Sequence, residues 1–190
     1  MNSGDFGGGV DWIFSATVVE KIKFRDQNHE FNAIGIDVGE KNIGLASGNS
    51  RFSMAFPLMV LPNNPDVYLR IFTEAYQKTA QVLVIGLPRN SDGQETKQSQ
   101  VVRNFAKKLQ KTINDSTAIV LDDSGESGAA EVELQITFQD ESLTSVIAEK
   151  HLRDQKNFTE KMLRDGTLDM EAATIILEDF LNNHRQGTGR

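Results

Sequence analysis

Three acidic residues of this sequence stand where an apolar segment ends or where a helical pattern begins. Asp37 comes at the end of a run that Gly39 terminates, Glu141 follows a second run, and Asp169 opens a segment with helical spacing. Open α/β sheets bind their ligands at the carboxyl ends of their strands. Hard divalent cations such as Mg²⁺ or Mn²⁺ take oxygen ligands and keep several waters, so a few carboxylates suffice. If the fold brings them together, these residues are candidate metal ligands.

Each of these acids also has a simpler interpretation when it is taken alone. Asp37 could be a turn residue between two hairpin strands, and Glu141 could be a solvated strand end. An acid in the first turn of a helix, as expected for Asp169, is stabilised by the helix dipole and often has no other role. The three residues are far apart in the sequence, so only the order of strands in the sheet decides between the two interpretations.

A basic helix face is the candidate nucleic-acid surface. At 100° per residue, the segment from about Thr96 to Ile113 is amphipathic. The basic arc consists of Lys97, Arg103, Lys107, Lys108 and Lys111. The apolar arc on the opposite side consists of Val101, Val102, Phe105, Ala106, Leu109 and Ile113. The basic arc could neutralise phosphates, although an ordinary solvated face has the same pattern. Lys41 and Arg89, near the acidic residues, are the stronger candidates for direct phosphate contact.

The elements that must position these residues follow from hydrophobic periodicity and turn signals. Three β-rich runs precede a helix that Pro65 opens, and helices then alternate with strands. The predicted strands are Ala33–Val38, Asn42–Ser47, Phe52–Val60, Gln81–Ile85, Ala118–Leu121 and Leu134–Phe138, and the later helices are about Thr96–Ile113, Leu143–Leu152 and Leu168–Leu181. Strands followed by alternating helix and strand predict an α/β domain, a mixed sheet with helices on both faces.

Composition predicts one globular domain with a short extension. Of the 190 residues, 38% are hydrophobic, none is cysteine, and the net charge is −7. We expect an N-terminal extension at 1–31, partly disordered, and a domain at 32–184 with an acidic loop insertion near 122–131. The chain shows neither an export signal nor an apolar run of about 20 residues, which favours a cytoplasmic protein without membrane contact. Because the net charge is negative, nucleic-acid binding would require a local basic surface.

Four sequence blocks carry a resemblance to a known family. They read GIDVGEKNIGLA from Gly35, VLVIGLPRNSDGQ from Val82, QDESLTS from Gln139 and LDMEAATIILEDFL from Leu168. In this order and spacing they resemble the YqgF (RuvX) family of Holliday-junction-resolvase-like nucleases.

The resemblance implies an RNase H-like fold and a nuclease that processes the 5′ end of precursor 16S rRNA during ribosome biogenesis. Asp37, Glu141 and Asp169 would be its catalytic, Mg²⁺- or Mn²⁺-binding residues. Lys41, Arg89, Arg103, Lys107 and Lys111 remain the candidates for binding structured RNA, branched DNA or ribosomal precursor particles.

Two departures from the family pattern keep alternative functions open. The family has an arginine where this chain has Ser142, and Glu40 and Asn42 flank Lys41 where the family has threonine and a basic residue. A non-catalytic nucleic-acid or ribosome-associated module of the same fold is therefore one alternative. A resolvase acting on branched DNA is another.

Overall fold

The computed structural model describes residues 30–90, 92–123, 134–141 and 144–187. Most of the N-terminal extension, most of the acidic insertion, and Ser142 lie outside these residues. The elements are β1 (Asn32–Val38), β2 (Asn42–Asn49), β3 (Met54–Pro62), α1 (Val67–Gln77), β4 (Ala80–Leu87), α2 (Lys97–Asp123), β5 (Gln135–Asp140), α3 (Thr144–Arg153), a short 3₁₀ helix (Glu160–Leu163) and α4 (Thr167–Gly187).

The strands form a mixed five-stranded sheet in the order β3-β2-β1-β4-β5. β1, β2 and β3 make the expected antiparallel meander, whereas β4 runs parallel to β1 and β5 runs parallel to β4. The carboxyl ends of β1, β4 and β5 therefore lie at one edge of the sheet. This mixed sheet confirms the α/β fold predicted from the sequence.

Helices cover both faces of the sheet and create two cores. On one face, α1 and α2 bury side chains against the strands, with Ile71 and Leu109 fully inaccessible. On the other face, α4 packs Ile176 and Leu177 against small and β-branched strand residues. None of the helices within the described ranges is long and apolar enough to cross a membrane.

The strand predicted at Ala118–Leu121 is wrong, because α2 continues through it to Asp123. A four-residue apolar run fits either a helix or a strand. No glycine or proline between Lys97 and Asp123 interrupts the helix. Val101, predicted to be buried, is 52% exposed. It falls at the margin of the stripe centred on Val102, Phe105 and Leu109.

Candidate active site

Asp37 lies near the carboxyl end of β1, the central strand of the sheet. It pairs with Gly44 of β2 in the antiparallel ladder. Its side chain is buried, with only 9% of the residue exposed. A carboxylate in such a position is poorly solvated, and it needs a proton, a cation or hydrogen-bond donors to compensate.

Glu141 follows β5 and reaches back towards β1 across β4. Its backbone N–H donates to the carbonyl of Leu87, with 3.3 Å between nitrogen and oxygen. The side chain lies over Gly86 of β4, where an added Cβ would stand 2.7 Å from Oε2. Because Gly86 has no side chain, the Glu141 carboxyl can cross the intervening strand and form a hydrogen bond with Asp37.

Asp169 enters the same region from the first turn of α4. The Asn42 amide donates to Asp169 Oδ2 over 3.4 Å. A Cβ added at Gly39 would stand 3.2 Å from Oδ1. The side chain therefore lies between the start of β2 and the turn that follows β1, within electrostatic range of Asp37.

Glu141 and Asp169 disfavour the charged form of Asp37. Burial raises the pKa of Asp37 well above its ordinary value, and the charges of Glu141 and Asp169 raise it further. Burial also raises the pKa values of Glu141 and Asp169. A hydrogen bond from Asp37 opposes the rise at Glu141, and the hydrogen bond from Asn42 opposes the rise at Asp169. Burial and the neighbouring acids thus disfavour a negative charge on Asp37, and a bound cation would offset that cost.

The donor set fits a hard divalent cation, although the side chains are not in ligating positions. Within the described ranges, no three His, Cys, Asp or Glu side chains stand close enough together to hold a metal ion. Glu141 forms a hydrogen bond with Asp37, and the Asn42 amide donates to Asp169. Mg²⁺ binds through one or two carboxylates together with waters and substrate phosphates. A buried, all-oxygen pair with a third acid beside it meets that requirement.

Comparison with known proteins places the chain in a family. The model of the RuvX family, described as Holliday junction resolvases, matches residues 32–183. The chain belongs to this family. A relative from Crocosphaera subtropica is 35% identical over 156 residues, covering 81% of this chain and 94% of the relative. One from Rickettsia bellii is 33% identical over 153 residues, covering 79% and 85%. Both are named "Putative pre-16S rRNA nuclease".

Among solved structures, RuvC of T. thermophilus in complex with a Holliday junction substrate is similar at 14% identity. The match covers 83% of this chain and 97% of that chain, with a TM-score of 0.39. The yeast mitochondrial Holliday junction resolvase Ydc2 is similar at 13% identity, covering 81% and 79%, with a TM-score of 0.37. The resemblance to the RuvX family noted in the sequence is confirmed by the family match.

The basic candidates of this RuvX-family protein occupy different environments. Lys41 is exposed in the turn between β1 and β2, and Lys107 and Lys111 are exposed on α2. Arg89 lies just beyond β4, where its Nη1 donates to the Gly93 carbonyl over 2.8 Å. Arg89 also stands 3.9 Å from a carboxylate oxygen of Asp140, the last residue of β5.

Arg103 is the exception in the basic arc. Its guanidinium donates to both carboxylate oxygens of Glu95 and stacks on Phe138, 5.1 Å from the ring centroid. Only 14% of its side chain is exposed. Arg103 therefore ties the loop before α2 to the sheet, and periodicity alone could not separate it from the neighbouring lysines.

Asn63, which sequence reasoning missed, organises the turn that carries Lys41. Its amide donates to the Gly39 carbonyl over 2.8 Å and to the Glu40 carbonyl over 3.4 Å. Its backbone N–H donates to the Lys41 carbonyl over 2.8 Å. An asparagine after a strand is an ordinary turn residue. Nothing in the sequence pattern distinguishes this one.

Proposed function

We propose that this protein is a metal-dependent nuclease that hydrolyses phosphodiester bonds in structured nucleic acid. The observation that carries the proposal is the position of three acids at one edge of the sheet: Asp37 is buried, Glu141 lies over Gly86 and approaches it, and Asp169 lies within electrostatic range of it. Membership of a nuclease family supports it, because resolvases and other RNase H-like nucleases generally use divalent metal ions.

Asp37, Glu141 and Asp169 would hold Mg²⁺ or Mn²⁺ through their carboxylate oxygens. When bound, the metal supplies activation of a water and stabilisation of the leaving oxygen. Asn42 would keep Asp169 oriented through its amide hydrogen bond. Lys41 would offset negative charge on the phosphate, since it projects from the turn next to the acids.

We propose precursor 16S rRNA as the substrate, cleaved at its 5′ end during ribosome biogenesis. The names of the relatives favour this choice, and substrate recognition on ribosomal precursor particles in the cytoplasm would follow from it. The description of the family favours branched DNA instead. A direct comparison of the two substrates decides between them.

The proposed nucleic-acid surface combines Lys41 and Arg89 beside the acids with Lys107 and Lys111 on α2. These side chains could contact phosphates, and such contacts position a substrate without reading its sequence. Arg103 was a candidate on the same arc, but its bonds to Glu95 and its stacking on Phe138 give it a different task. We therefore leave it out of the proposed contact surface.

The test is a cleavage assay on a 5′-extended precursor 16S rRNA fragment and on a four-way DNA junction. We expect cleavage of the RNA with Mg²⁺ or Mn²⁺ and none with EDTA. Asp37→Asn should abolish cleavage, whereas Asp154→Asn, a matched change of an exposed aspartate after α3, should not. Preferential cleavage of the junction would identify a resolvase. Binding of both substrates without cleavage would identify a non-catalytic module.

A further inference from the structure

An apolar groove lies at the end of the sheet opposite the acidic cluster. It has a volume of about 370 Å³ and lies between the start of β1, the end of β2 and the start of β3. Phe52, Met54 and Phe56 line it and are 64%, 51% and 57% exposed. Large apolar side chains gathered on one exposed patch mark an interaction site more often than scattered ones do.

The polar groups at the base of the groove already bond to one another. The Asn49 amide donates to Asn32 Oδ1 over 2.8 Å. The Asn32 amide in turn donates to the Lys78 carbonyl and to the Thr79 hydroxyl over 3.1 and 3.0 Å. Since these groups have partners, the groove offers an occupant mainly apolar contact. A bulky hydrophobic segment suits it better than a polar ligand does.

The chain enters the described structure at the margin of this groove. Glu30 forms an ion pair with Arg51 at 3.2 Å, and the Phe31 N–H donates to Ser50 Oγ over 3.0 Å. The Arg51 guanidinium lies 5.6 Å from the ring centroid of Phe52, which lines the groove. Glu30, the first residue that the structure describes, therefore lies next to the exposed aromatic rings.

The preceding sequence contains a suitable hydrophobic stretch within reach. Residues 12–24 read WIFSATVVEKIKF, and Trp12 is the one tryptophan of the chain. Five residues separate Phe24 from Glu30, so the two can lie up to about 20 Å apart when the chain is extended. The family match begins only at residue 32, so this stretch is additional to the shared domain.

We propose that the hydrophobic stretch at 12–24 covers this groove within the same molecule. Tethering favours this occupant over a second copy, because a short linker gives an effective concentration of about a millimolar. Burying Trp12, Phe14 or Val18 against Phe52 and Phe56 would remove apolar surface of both partners from water. The position of the groove, remote from the acids, makes the contact independent of the proposed nuclease activity.

Trp12 fluorescence tests the proposal in the full-length chain. We expect blue-shifted emission and weak acrylamide quenching in the native protein, relative to the urea-unfolded chain. Phe56→Glu places a charge in the groove and should shift the emission to longer wavelength and increase the quenching. Leu69→Glu is the control, because Leu69 is 55% exposed on α1 and does not line the groove. It should leave the emission unchanged.

Three results would overturn the proposal. The first is native emission equal to that of the unfolded chain. The second is blue-shifted emission that Phe56→Glu leaves unchanged. The third is a blue shift that is lost on dilution while light scattering shows a dimer becoming a monomer. The last would assign the groove to a second copy. Circular dichroism checks that Phe56→Glu is folded.

If Phe56→Glu does not fold, a second measurement decides. The chain has no cysteine, so Phe52→Cys and Leu69→Cys each provide a single thiol. A covered groove predicts slow maleimide labelling at position 52 and fast labelling at position 69, with both fast in urea. Equally fast labelling of the two native variants would contradict the proposal.

Discussion

Gly44 of β2 lies directly beneath the backbone of Asp169, in the first turn of α4. A Cβ at Gly44 would overlap the Asp169 carbonyl and stand 2.7 Å from the Met170 nitrogen. Because Asp37 pairs with Gly44 in the ladder, this approach of helix to strand sets how far Asp169 lies from Asp37. A residue without chemistry of its own thus positions two of the candidate metal ligands.

Gly44→Ala should therefore displace the start of α4 and impair the site. Overpacking costs typically 1–3 kcal/mol, and about 1 kcal/mol lowers Tm by roughly 2–4 °C in a protein of this size. A shift of about 1 Å at a catalytic group can cost about 10²-fold in rate. Melting curves and cleavage assays below both melting temperatures measure the two effects.

Gly35→Ala is the matched control for this change. Its Cβ would stand 2.6 Å from the Ala173 carbonyl oxygen and 2.7 Å from Leu177 Cβ, further along α4 and away from Asp169. We expect a comparable loss of Tm with a smaller loss of cleavage. Equal losses of activity would show that α4 shifts as a unit and that the Gly44 contact has no special role in placing Asp169.

Asp37→Asn should leave the metal-free protein as stable as the parent at neutral pH, or raise its Tm by roughly 2–4 °C if about 1 kcal/mol of repulsion is removed. The pKa of Asp37 is higher in the folded chain than in the unfolded chain. As pH rises from the ordinary pKa of about 3.9 through the raised value, the folded state holds more protons than the unfolded state, and stability falls. Asparagine has no such proton to lose.

Melting in EDTA across this pH range checks the sign of the effect. The difference in Tm between Asp37→Asn and the parent should grow as pH rises, whereas exposed Asp154→Asn should show no such trend. A variant that melts lower than the parent at neutral pH would make Asp37 a structural residue rather than a candidate ligand.

The double change Lys107→Glu, Lys111→Glu should weaken nucleic-acid binding irrespective of sequence. If both lysines contact phosphates, the slope of log affinity against log salt should fall by roughly 0.7–0.9 for each lost contact. Exposed Lys150→Glu with Lys156→Glu changes the net charge equally and should leave the slope unaltered. An unchanged slope in the α2 variant would restrict the contact surface to Lys41 and Arg89.

Asn63→Ala should loosen the turn that carries Lys41 and raise KM more than it lowers kcat. The variant loses two side-chain hydrogen bonds to the turn, each contributing about 0.5–1.5 kcal/mol to stability. Neighbouring Asn64→Ala removes a bond to the Asp66 N–H instead and leaves the turn intact. Steady-state kinetics that change equally in the two variants would disprove a positioning role for Asn63.

The sequence by itself determined the elements whose periodicity is strong. Strands β1 to β5 and the amphipathic helices follow from where apolar residues recur and where Gly and Pro stop them. Glycine-rich turns and strand-end carboxylates identified Asp37, Glu141 and Asp169 as separate candidates. Resemblance to the family joined them into one proposed site, because sequence spacing holds no information on strand order.

Only the tertiary structure decided what depends on contacts between distant residues. The strand order brings Glu141 across Gly86 to Asp37, and the packing of α4 on Gly44 brings Asp169 within electrostatic range of Asp37. Contacts with Glu95, in the loop before α2, and with Phe138 of β5 also give Arg103 a role that helix periodicity does not predict. The stretch predicted as a strand at Ala118–Leu121 is helical because α2 simply continues, a choice that four apolar residues cannot make alone.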